Sequence, residues 1–177
     1  MTEKHIKKCS TATELSKINI RKATENDADA IWEIAHEVVK TGDTWAIAPN
    51  TSKIKMLEYF FDEKKYTYVA TLEEQVLGVF FLTYNQKDLG SHIANAGYMV
   101  HPNLQIKGIG RKMGAFSLEE AKRLGYHAIQ FNFVVKTNEK AVHLWESLGF
   151  QIIGEIPEAF QHQILGFVNA YIMYRKL

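Results

Sequence analysis

The sequence is poor in cysteine, with Cys9 as its one thiol among 177 residues. A single cysteine excludes an intramolecular disulfide and a thiolate cluster, and the seven histidines show no metal-ligand spacing. No apolar run approaches the length of a transmembrane helix, and the N-terminus lacks the apolar core of a signal peptide. We therefore expect a cytoplasmic protein without a bound metal or a membrane partner.

The sequence also has no large excess of positive or negative charge, because 21 Lys and Arg residues are balanced by 20 Asp and Glu residues, which gives a formal net charge of +1. No overall field draws such a chain to nucleic acid, so we expect no nucleic-acid partner. Hydrophobic residues make up 46% of the chain, which favours a packed core over disorder. The length suits one α/β domain. We predict a flexible arm over residues 1–17 and a single domain over residues 18–177.

Hydrophobic periodicity predicts the element order β-α-α-β-β-β-α-β-α-β-β, which is a mixed sheet with helices on both faces. The predicted strands cover residues 18–21, 66–71, 75–84, 92–100, 127–135, 150–156 and 167–174. A hairpin turn is expected at Glu73-Glu74, and a long loop is expected from Pro157 to Gly166. Gly97 lies inside a predicted strand, where glycine indicates a bulge or a close backbone contact.

The most informative stretch is the loop Q-I-K-G-I-G-R-K, which joins the strand ending at Val100 to an amphipathic helix. No Ser, Thr or Asp side chain caps the first turn of that helix, so its first N–H groups need another partner. Glycine allows a ligand to approach these groups, and the helix dipole and three cations favour an anion. The predicted diphosphate site comprises Gln105, Ile106, Lys107, Gly108, Ile109, Gly110, Arg111 and Lys112.

Spacing separates three kinds of glycine loop. The nucleoside-triphosphatase loop needs four residues between its glycines and Ser or Thr after its lysine, whereas Met113 follows Lys112. The dinucleotide fingerprint needs a third glycine one position before Gly114, and residues 130–135 supply no acidic partner. Q-x-x-G-x-G after V-x-P instead resembles the coenzyme A loop of the GCN5-related N-acetyltransferases. Taken alone, the loop is equally compatible with a helix start loosened by glycine.

A second marker follows at residues 138–150, N-E-K-A-V-H-L-W-E-S-L-G-F, which is similar to the N-x-x-A-x-x-L-Y-x-x-x-G-F motif of the same family. The resemblance covers residues 18–176. It implies the fold of that family, an α/β (α+β) fold. The fold has a mixed, mostly antiparallel sheet of six to seven strands splayed in the middle, with helices on both faces. It also implies an N-acetyltransferase with acetyl-CoA as co-substrate.

The resemblance assigns the cofactor site. The gap between the strands at residues 96–100 and 127–135 would hold the pantetheine arm, with the backbone of Met99 and Val100 pairing with its amides. The loop amides would hold the diphosphate, and Asn138 would contact the cofactor from the next helix, beside Ala141. Asn138 is also a favourable helix cap, and the two roles are compatible.

One catalytic position departs from the family motif, because Trp145 stands where a tyrosine often protonates the leaving thiolate. An indole N–H is a donor only, so Trp145 can bond to the thiolate or pack. Packing is expected, since Trp145 lies on the apolar stripe of its helix. A thiol with a pKa near that of cysteine, about 8.5, leaves readily without an acid. Strand amides near Val100 would polarise the thioester carbonyl.

Strand periodicity indicates where the acceptor binds. One face of a strand takes Ile129, Phe131, Phe133 and Val135, the other takes Gln130 and Asn132, and in the last strand Asn169 shares a face with Tyr171. The family fold places the two strands side by side. Asparagine side chains in the middle of strands need hydrogen-bond partners. Asn132 and Asn169 could bond to each other and to water, or to a substrate, and we expect a substrate.

The tail at residues 148–174 is similar to that of fungal enzymes that acetylate the proline analogue azetidine-2-carboxylate. This similarity implies that Asn132 and Asn169 contact a small amine and that Asp43, Thr44 and Trp45 cover the pocket. The alternative for these three residues is an ordinary connector with a buried tryptophan. The expected reaction is direct attack by a neutral amine. The candidate bases His92, His101, Asp43 and Glu155 are not distinguished, and residues 94–100 contain no Asp or Glu.

The rival interpretation is a coenzyme A-binding sensor or a structural domain without turnover. Trp145 and the missing strand carboxylate favour it, whereas Gln105, Gly108, Gly110 and Asn138 indicate that the cofactor still binds. Small amino acids, polyamines, antibiotics and protein N-termini remain open as acceptors. A homodimer is compatible with the sequence.

Overall fold

The structure, a computed structural model, describes residues 11–104 and 106–177. Gln105 and Cys9 lie outside the described residues. The elements are, in order, α1 Thr11–Lys17, β1 Asn19–Lys22, α2 Ala28–Val39, α3 Lys53–Phe60, β2 Tyr66–Leu72, β3 Gln75–Tyr84, β4 Ile93–Val100, α4 Ile109–Arg123, β5 Ala128–Val135, α5 Glu139–Ser147, β6 Gln151–His162 and β7 Gly166–Lys176. Two short 3-10 turns, Glu25–Asp27 and Asp88–Gly90, complete the list.

The seven strands form one sheet in the order β1-β2-β3-β4-β5-β7-β6. All neighbours are antiparallel except β4 and β5, which are parallel. A core that includes Ile31 and Met56 packs α2 and α3 on one face, and a core that includes Met113 and Trp145 packs α4 and α5 on the other. The predicted mixed, mostly antiparallel sheet with helices on both faces is confirmed.

The N-terminal boundary of the prediction is wrong for residues 11–17. These residues form helix α1, and Leu15 packs against the same core as α4 and α5. The polar composition of the segment concealed this, because among residues 14–17 only Leu15 is apolar. Residues 1–10 lie outside the described residues.

The predicted long loop at Pro157–Gly166 is also wrong, because β6 runs to His162 and pairs with β7 up to the pair His162 and Gly166. The register shifts between Ile156 and Phe160, where Glu158 has a φ of 50°. Proline is tolerated on an edge strand, and an irregular stretch absorbs the residues that do not pair. Pro157 therefore marks a bulge in an edge strand and not its end.

Strand β5 contains a bulge that breaks the predicted alternation. Phe131 pairs with Met173 and Val134 pairs with Tyr171, so β5 uses three steps where β7 uses two. Phe133 is consequently 37% exposed, and Val134 takes the buried position instead. Gly97, by contrast, lies in an uninterrupted β3–β4 register, so there is no bulge at this residue. Of the two predictions for Gly97, a close contact is the one that remains.

Within residues 11–104 and 106–177, no helix combines the length and apolar character needed to cross a bilayer. The same residues contain no group of three His, Cys, Asp or Glu side chains placed to hold a metal ion.

The buried carboxylate of Asp27 anchors the start of helix α2. Arg21 donates to both of its oxygens, at 2.7 and 2.8 Å, and the Thr24 N–H donates at 2.8 Å. The Arg21 hydrogen bonds are the main cause that lowers the pKa of Asp27 from 3.8 to about 2. The ionised form is thus favoured in the folded state, and its contribution to stability is present above pH 3.8.

We expect Asp27→Asn to lower the free energy of unfolding at neutral pH by roughly 1–2 kcal/mol, since water around the half-exposed Arg21 screens part of the pair. The deficit should shrink as the pH falls below 3.8 and disappear below about 2, the pKa of folded Asp27, because wild-type Asp27 is then protonated too. Urea unfolding across this range measures it. Asp29→Asn is the matched control, because the Asp29 side chain is 88% exposed and its pair with Lys53 should contribute nothing measurable. Equal effects of the two substitutions would contradict this account of Asp27.

Candidate active site

The sheet opens between its two parallel strands. β4 and β5 pair only at Ile93 with Ala128 and at Ala94 with Ile129, although both strands continue for six residues beyond. The predicted splay is therefore confirmed. Because the facing strand edges diverge, backbone groups along residues 96–100 are left for a ligand that enters the gap.

A cavity of about 310 Å³ fills this gap. Its walls come from both faces of the sheet: Phe81 and Gly97 belong to the α2–α3 side, and Phe131 and Trp145 to the α4–α5 side. The cavity therefore passes through the sheet, which would let two ligands meet from opposite faces. Among the predicted site residues, it is lined by Thr44, Trp45, Asn132, Asn138, Ala141 and Trp145.

Seven aromatic side chains line the cavity. Trp145 is 7% exposed, and its ring centroid lies 4.7 Å from those of Tyr98 and Phe131. This geometry agrees with the packing role expected for Trp145. On the other face, Trp45 and Tyr59 meet edge to face, with centroids 6.4 Å apart.

Ionisable groups are scarce in the wall. Of the described lining residues only Tyr59 and Tyr98 can titrate, and burial raises the pKa of both, for Tyr59 to about 12. The Tyr98 hydroxyl donates to Ser117 Oγ at 2.6 Å, since Ser117 itself donates to the Gly114 carbonyl. Neither tyrosine is suited to remove a proton from an ammonium group near neutral pH.

The four candidate bases lie outside this cavity. Glu155 is held by Asn169 and Lys136, whose hydrogen bonds lower its pKa. His101 lies 3.7 Å from Glu33, and His92 contacts the Leu89 carbonyl. Asp43 accepts from Thr41, at the edge of a second cavity.

The glycine loop has the backbone geometry expected of an anion site. Gly108 has a φ of 93°, and no side chain caps α4. The first bond within the helix runs from the Lys112 N–H to the Gly108 carbonyl, at 3.0 Å. The N–H groups of Ile109, Gly110 and Arg111 precede it, so they have no acceptor within the helix. The predicted site residues Ile106 and Lys107 belong to the same loop.

Two predicted diphosphate cations are engaged elsewhere. Arg111 donates to Ser147 Oγ at 2.7 Å, and Lys112 donates to the Leu15 carbonyl of α1 at 2.7 Å. Lys112 thus caps the C-terminal end of α1, where a cation is favourable. The Leu15 side chain lies beside Gly108, 3.2 Å from the position of an added Cβ, so α1 supports the loop from one side.

Asn138 caps α5 and lies at the cavities, and its contact with the cofactor stays a prediction. Its side chain accepts from the Ala141 N–H at 3.2 Å, which confirms the helix cap. The residue also lines the main cavity and the second one. Met99 is buried in the α2–α3 core, and its backbone and that of Val100 form the β4 edge.

The two predicted substrate asparagines are not brought together. Asn132 lines the main cavity, where Gln130 and Asn85 are its hydrogen-bond partners. Asn169 accepts from the Glu158 N–H at 3.0 Å and donates to Glu155, outside both cavities. Tyr171 also lies outside them, with the Lys136 ammonium 5.4 Å from its ring centroid. A substrate role for Asn169 and Tyr171 stays a prediction.

The connector after α2 reaches the cavities as expected. Thr44 lines both, Trp45 lines the main one, and Asp43 lines the second, polar cavity of about 260 Å³. Gly42 lies against Gln163 at the turn of the β6–β7 hairpin, because an added Cβ at Gly42 would lie 2.5 Å from the Gln163 side chain. The connector and the hairpin turn therefore close one side of the site.

Three polar residues near the site, Asn95, Asn85 and Lys65, were not predicted, and Gln130 was placed only on the strand face that carries Asn132. Asn95 lines the main cavity from β4, Asn85 and Gln130 bond to Asn132, and Lys65 lies 3.2 Å from the centroid of the Tyr59 ring. Burial lowers the pKa of Lys65 to about 8. The period of β4 could have indicated Asn95, whereas Asn85 follows a strand and carries no local signal.

Comparisons with known proteins agree with this geometry. N-acetyltransferase aca1 of Schizosaccharomyces pombe is 40% identical over 100 residues, which are 55% of this chain and 47% of aca1. The chain thus spans about half the length of that relative. The L-amino acid N-acyltransferase MnaT of Escherichia coli is 27% identical over 147 residues, 80% of this chain and 84% of MnaT.

A solved structure with the same fold is a GCN5-related N-acetyltransferase from Kribbella flavida. It superposes with a TM-score of 0.87 at 35% identity and covers 92% of this chain and 99% of its own. The sequence profile of the Acetyltransferase (GNAT) family matches residues 28–150. Since that match includes most of the sheet, the glycine loop and the Asn138 marker, the chain belongs to the Acetyltransferase (GNAT) family.

Proposed function

We propose that the protein is an acetyl-CoA-dependent N-acetyltransferase that acetylates the amine of a small molecule, with amino acids and proline analogues as the first candidates. The observation that carries the proposal is the cavity through the sheet. One side is lined by Ala141 and Trp145 of α5, the helix that packs beside α4, and the other is covered by Trp45 and lined by Asn132. Such a passage suits a donor and an acceptor that enter from different faces.

The residues present fit acetyl-CoA. The N–H groups of residues 109–111, which have no acceptor within the helix, would hold the diphosphate, and the β4 edge at Met99 and Val100 would pair with the pantetheine amides. When bound, acetyl-CoA supplies an acetyl thioester that a neutral amine can attack directly. The buried aromatic wall would exclude water from that thioester.

The acceptor side is neutral. Within the described lining, Asn95 and Asn132 provide amide donors and acceptors, and no Lys, Arg, Asp, Glu or His side chain is present. Such a pocket favours the uncharged amine that the reaction needs, because an ammonium ion would be desolvated without a counter-charge. The similarity to MnaT, an L-amino acid N-acyltransferase, supports an amino acid as the first acceptor to try.

The missing acid and base also favour the rival function, a protein that binds acetyl-CoA without turnover. Release of the free thiol from acetyl-CoA in the presence of single amines separates the two. Binding of acetyl-CoA without thiol release for any amine, amino acid or peptide of the panel would exclude the enzyme.

For an amine that the protein acetylates, we expect Asn132→Ala to raise the KM for the amine at least about tenfold, because one hydrogen bond to the substrate is lost. The KM for acetyl-CoA should change less than about twofold. Steady-state kinetics with each substrate varied in turn measures both.

Asn169→Ala is the matched control for Asn132→Ala. If Asn169 contacts only Glu155 and Glu158, its removal leaves both KM values unchanged, and an effect equal to that of Asn132→Ala would support the predicted substrate role instead. Equal rises in both KM values for Asn132→Ala would point to a structural role for Asn132.

A further inference from the structure

Three amide side chains form a hydrogen-bonded chain at the acceptor end of the cavity. Gln130 Nε2 donates to Asn132 Oδ1 at 2.9 Å, and Asn132 Nδ2 donates to Asn85 Oδ1 at 2.6 Å. All three residues are half-buried, and of the three only Asn132 lines the cavity. Gln130 and Asn85 therefore reach the cavity only through Asn132.

The chain is attached to the scaffold at both ends. Gln130 belongs to β5, opposite Tyr174 of β7. Asn85 directly follows β3, and its backbone N–H donates to the Ile93 carbonyl at the start of β4 at 2.7 Å. The Asn132 amide thus links β5 to the end of β3, beside the start of β4, where β4 and β5 begin to diverge.

The nitrogen of an amide side chain only donates hydrogen bonds, and its oxygen only accepts them. The Gln130 nitrogen faces the Asn132 oxygen and the Asn85 oxygen faces the Asn132 nitrogen, so turning Asn132 over alone would break both bonds. After these two bonds, Asn132 keeps one N–H and one oxygen lone pair. The neighbours therefore decide which part of the acceptor meets a donor and which meets an acceptor.

We propose that Gln130 and Asn85 are positioning residues that fix the amide of Asn132 in one orientation toward the acceptor amine. This inference rests on the proposed N-acetyltransferase function and extends it to two residues outside the cavity. In this orientation the oxygen of Asn132 faces Gln130 and its nitrogen faces Asn85. The chain thereby selects acceptors whose polar groups match that arrangement.

Two substitutions of the same kind and charge test the orientation. Asn85→Asp places an acceptor against the Asn132 nitrogen, which already donates there, so the chain keeps its direction. Gln130→Glu places an acceptor against the Asn132 oxygen, so the amide must turn over or lose the bond. At about pH 8 both new carboxyl groups are ionised, and added charge is therefore matched between the variants.

With an amine that the wild type acetylates, we expect Gln130→Glu to raise the KM for the amine about tenfold or more and to change the KM for acetyl-CoA by less than about twofold. For Asn85→Asp, the KM values for the amine and for acetyl-CoA should both stay within about threefold of the wild-type values. Equal effects of the two variants, the reverse order, or a matching rise in the KM for acetyl-CoA would overturn the proposal.

A measurement without turnover tests the chain itself. In side-chain amide NMR spectra, Asn132→Leu should move the Gln130 amide protons upfield, because their acceptor is removed. Unchanged Gln130 resonances would overturn the proposal even in an active enzyme. If the wild type acetylates no amine while the Gln130 resonances do move, the chain exists and the proposed N-acetyltransferase function is the part that fails.

Discussion

Gly110→Asp is expected to abolish measurable binding of acetyl-CoA, with a loss of affinity of at least about 100-fold. Gly110 lies in the first turn of α4, where the N–H groups of residues 109–111 have no acceptor within the helix. A carboxylate there would occupy the positive end of the helix dipole and repel the diphosphate proposed to bind at the same place. Isothermal titration with acetyl-CoA measures the loss.

The stability of the fold should not fall in Gly110→Asp, although binding is lost. Aspartate in the first turn of a helix is favourable, typically by about 0.3–1 kcal/mol, and replacing a helical glycine removes a further cost. An added Cβ would lie 3.3 Å from Leu144 Cδ2, the end of a flexible side chain that can shift. We therefore expect unchanged or slightly raised thermal stability together with lost binding, which separates a local effect from misfolding.

Gly110→Asn is the matched control, because it has the size of aspartate without its charge. We expect it to weaken binding by less than about tenfold, through bulk alone. If the Asp and Asn variants bind acetyl-CoA equally well, charge at this helix start does not matter and the diphosphate lies elsewhere.

Features set by short stretches of sequence could be predicted. The turn at Glu73-Glu74 follows from two apolar runs with a polar break, and β2 and β3 pair around it. The start of α4 follows from two glycines and a missing cap, which are local properties of the chain. The packing of Trp145 follows from its place on the apolar stripe of a helix.

Features set by contacts between distant segments could not be predicted. A bulge shifts Phe133 outward, and strict alternation along β5 contains no sign of it. Asn169 accepts from the Glu158 N–H of β6, in a stretch expected to be a loop. Asn85 reaches Asn132 across 47 residues, a pairing that depends on how the sheet opens.

Gly97→Ala is expected to lower kcat/KM for the amine at least about tenfold, because the Trp45 side chain would lose its place in the cavity. An added Cβ would lie 2.5 Å from Trp45 Cη2 and 2.8 Å from Phe81 Cε1, closer than packed carbon atoms come. Phe81 is buried within the sheet, whereas Trp45 belongs to a half-exposed connector, so the indole is the group that moves. Steady-state kinetics, with acetyl-CoA saturating, measures the change.

The double variant identifies Trp45 as the cause. If Gly97→Ala acts by displacing the indole, Trp45→Ala alone should cost about as much, and the two substitutions together should cost no more than the larger single effect. Gly154→Ala is the matched control in a strand, since its added Cβ would meet Ile172 at 3.5 Å, an ordinary contact, and activity should be unchanged. Strictly additive losses in the double variant would instead show that Gly97 and Trp45 act independently, and the indole would then have no special position over the strand edge where the acetyl group is proposed to be transferred.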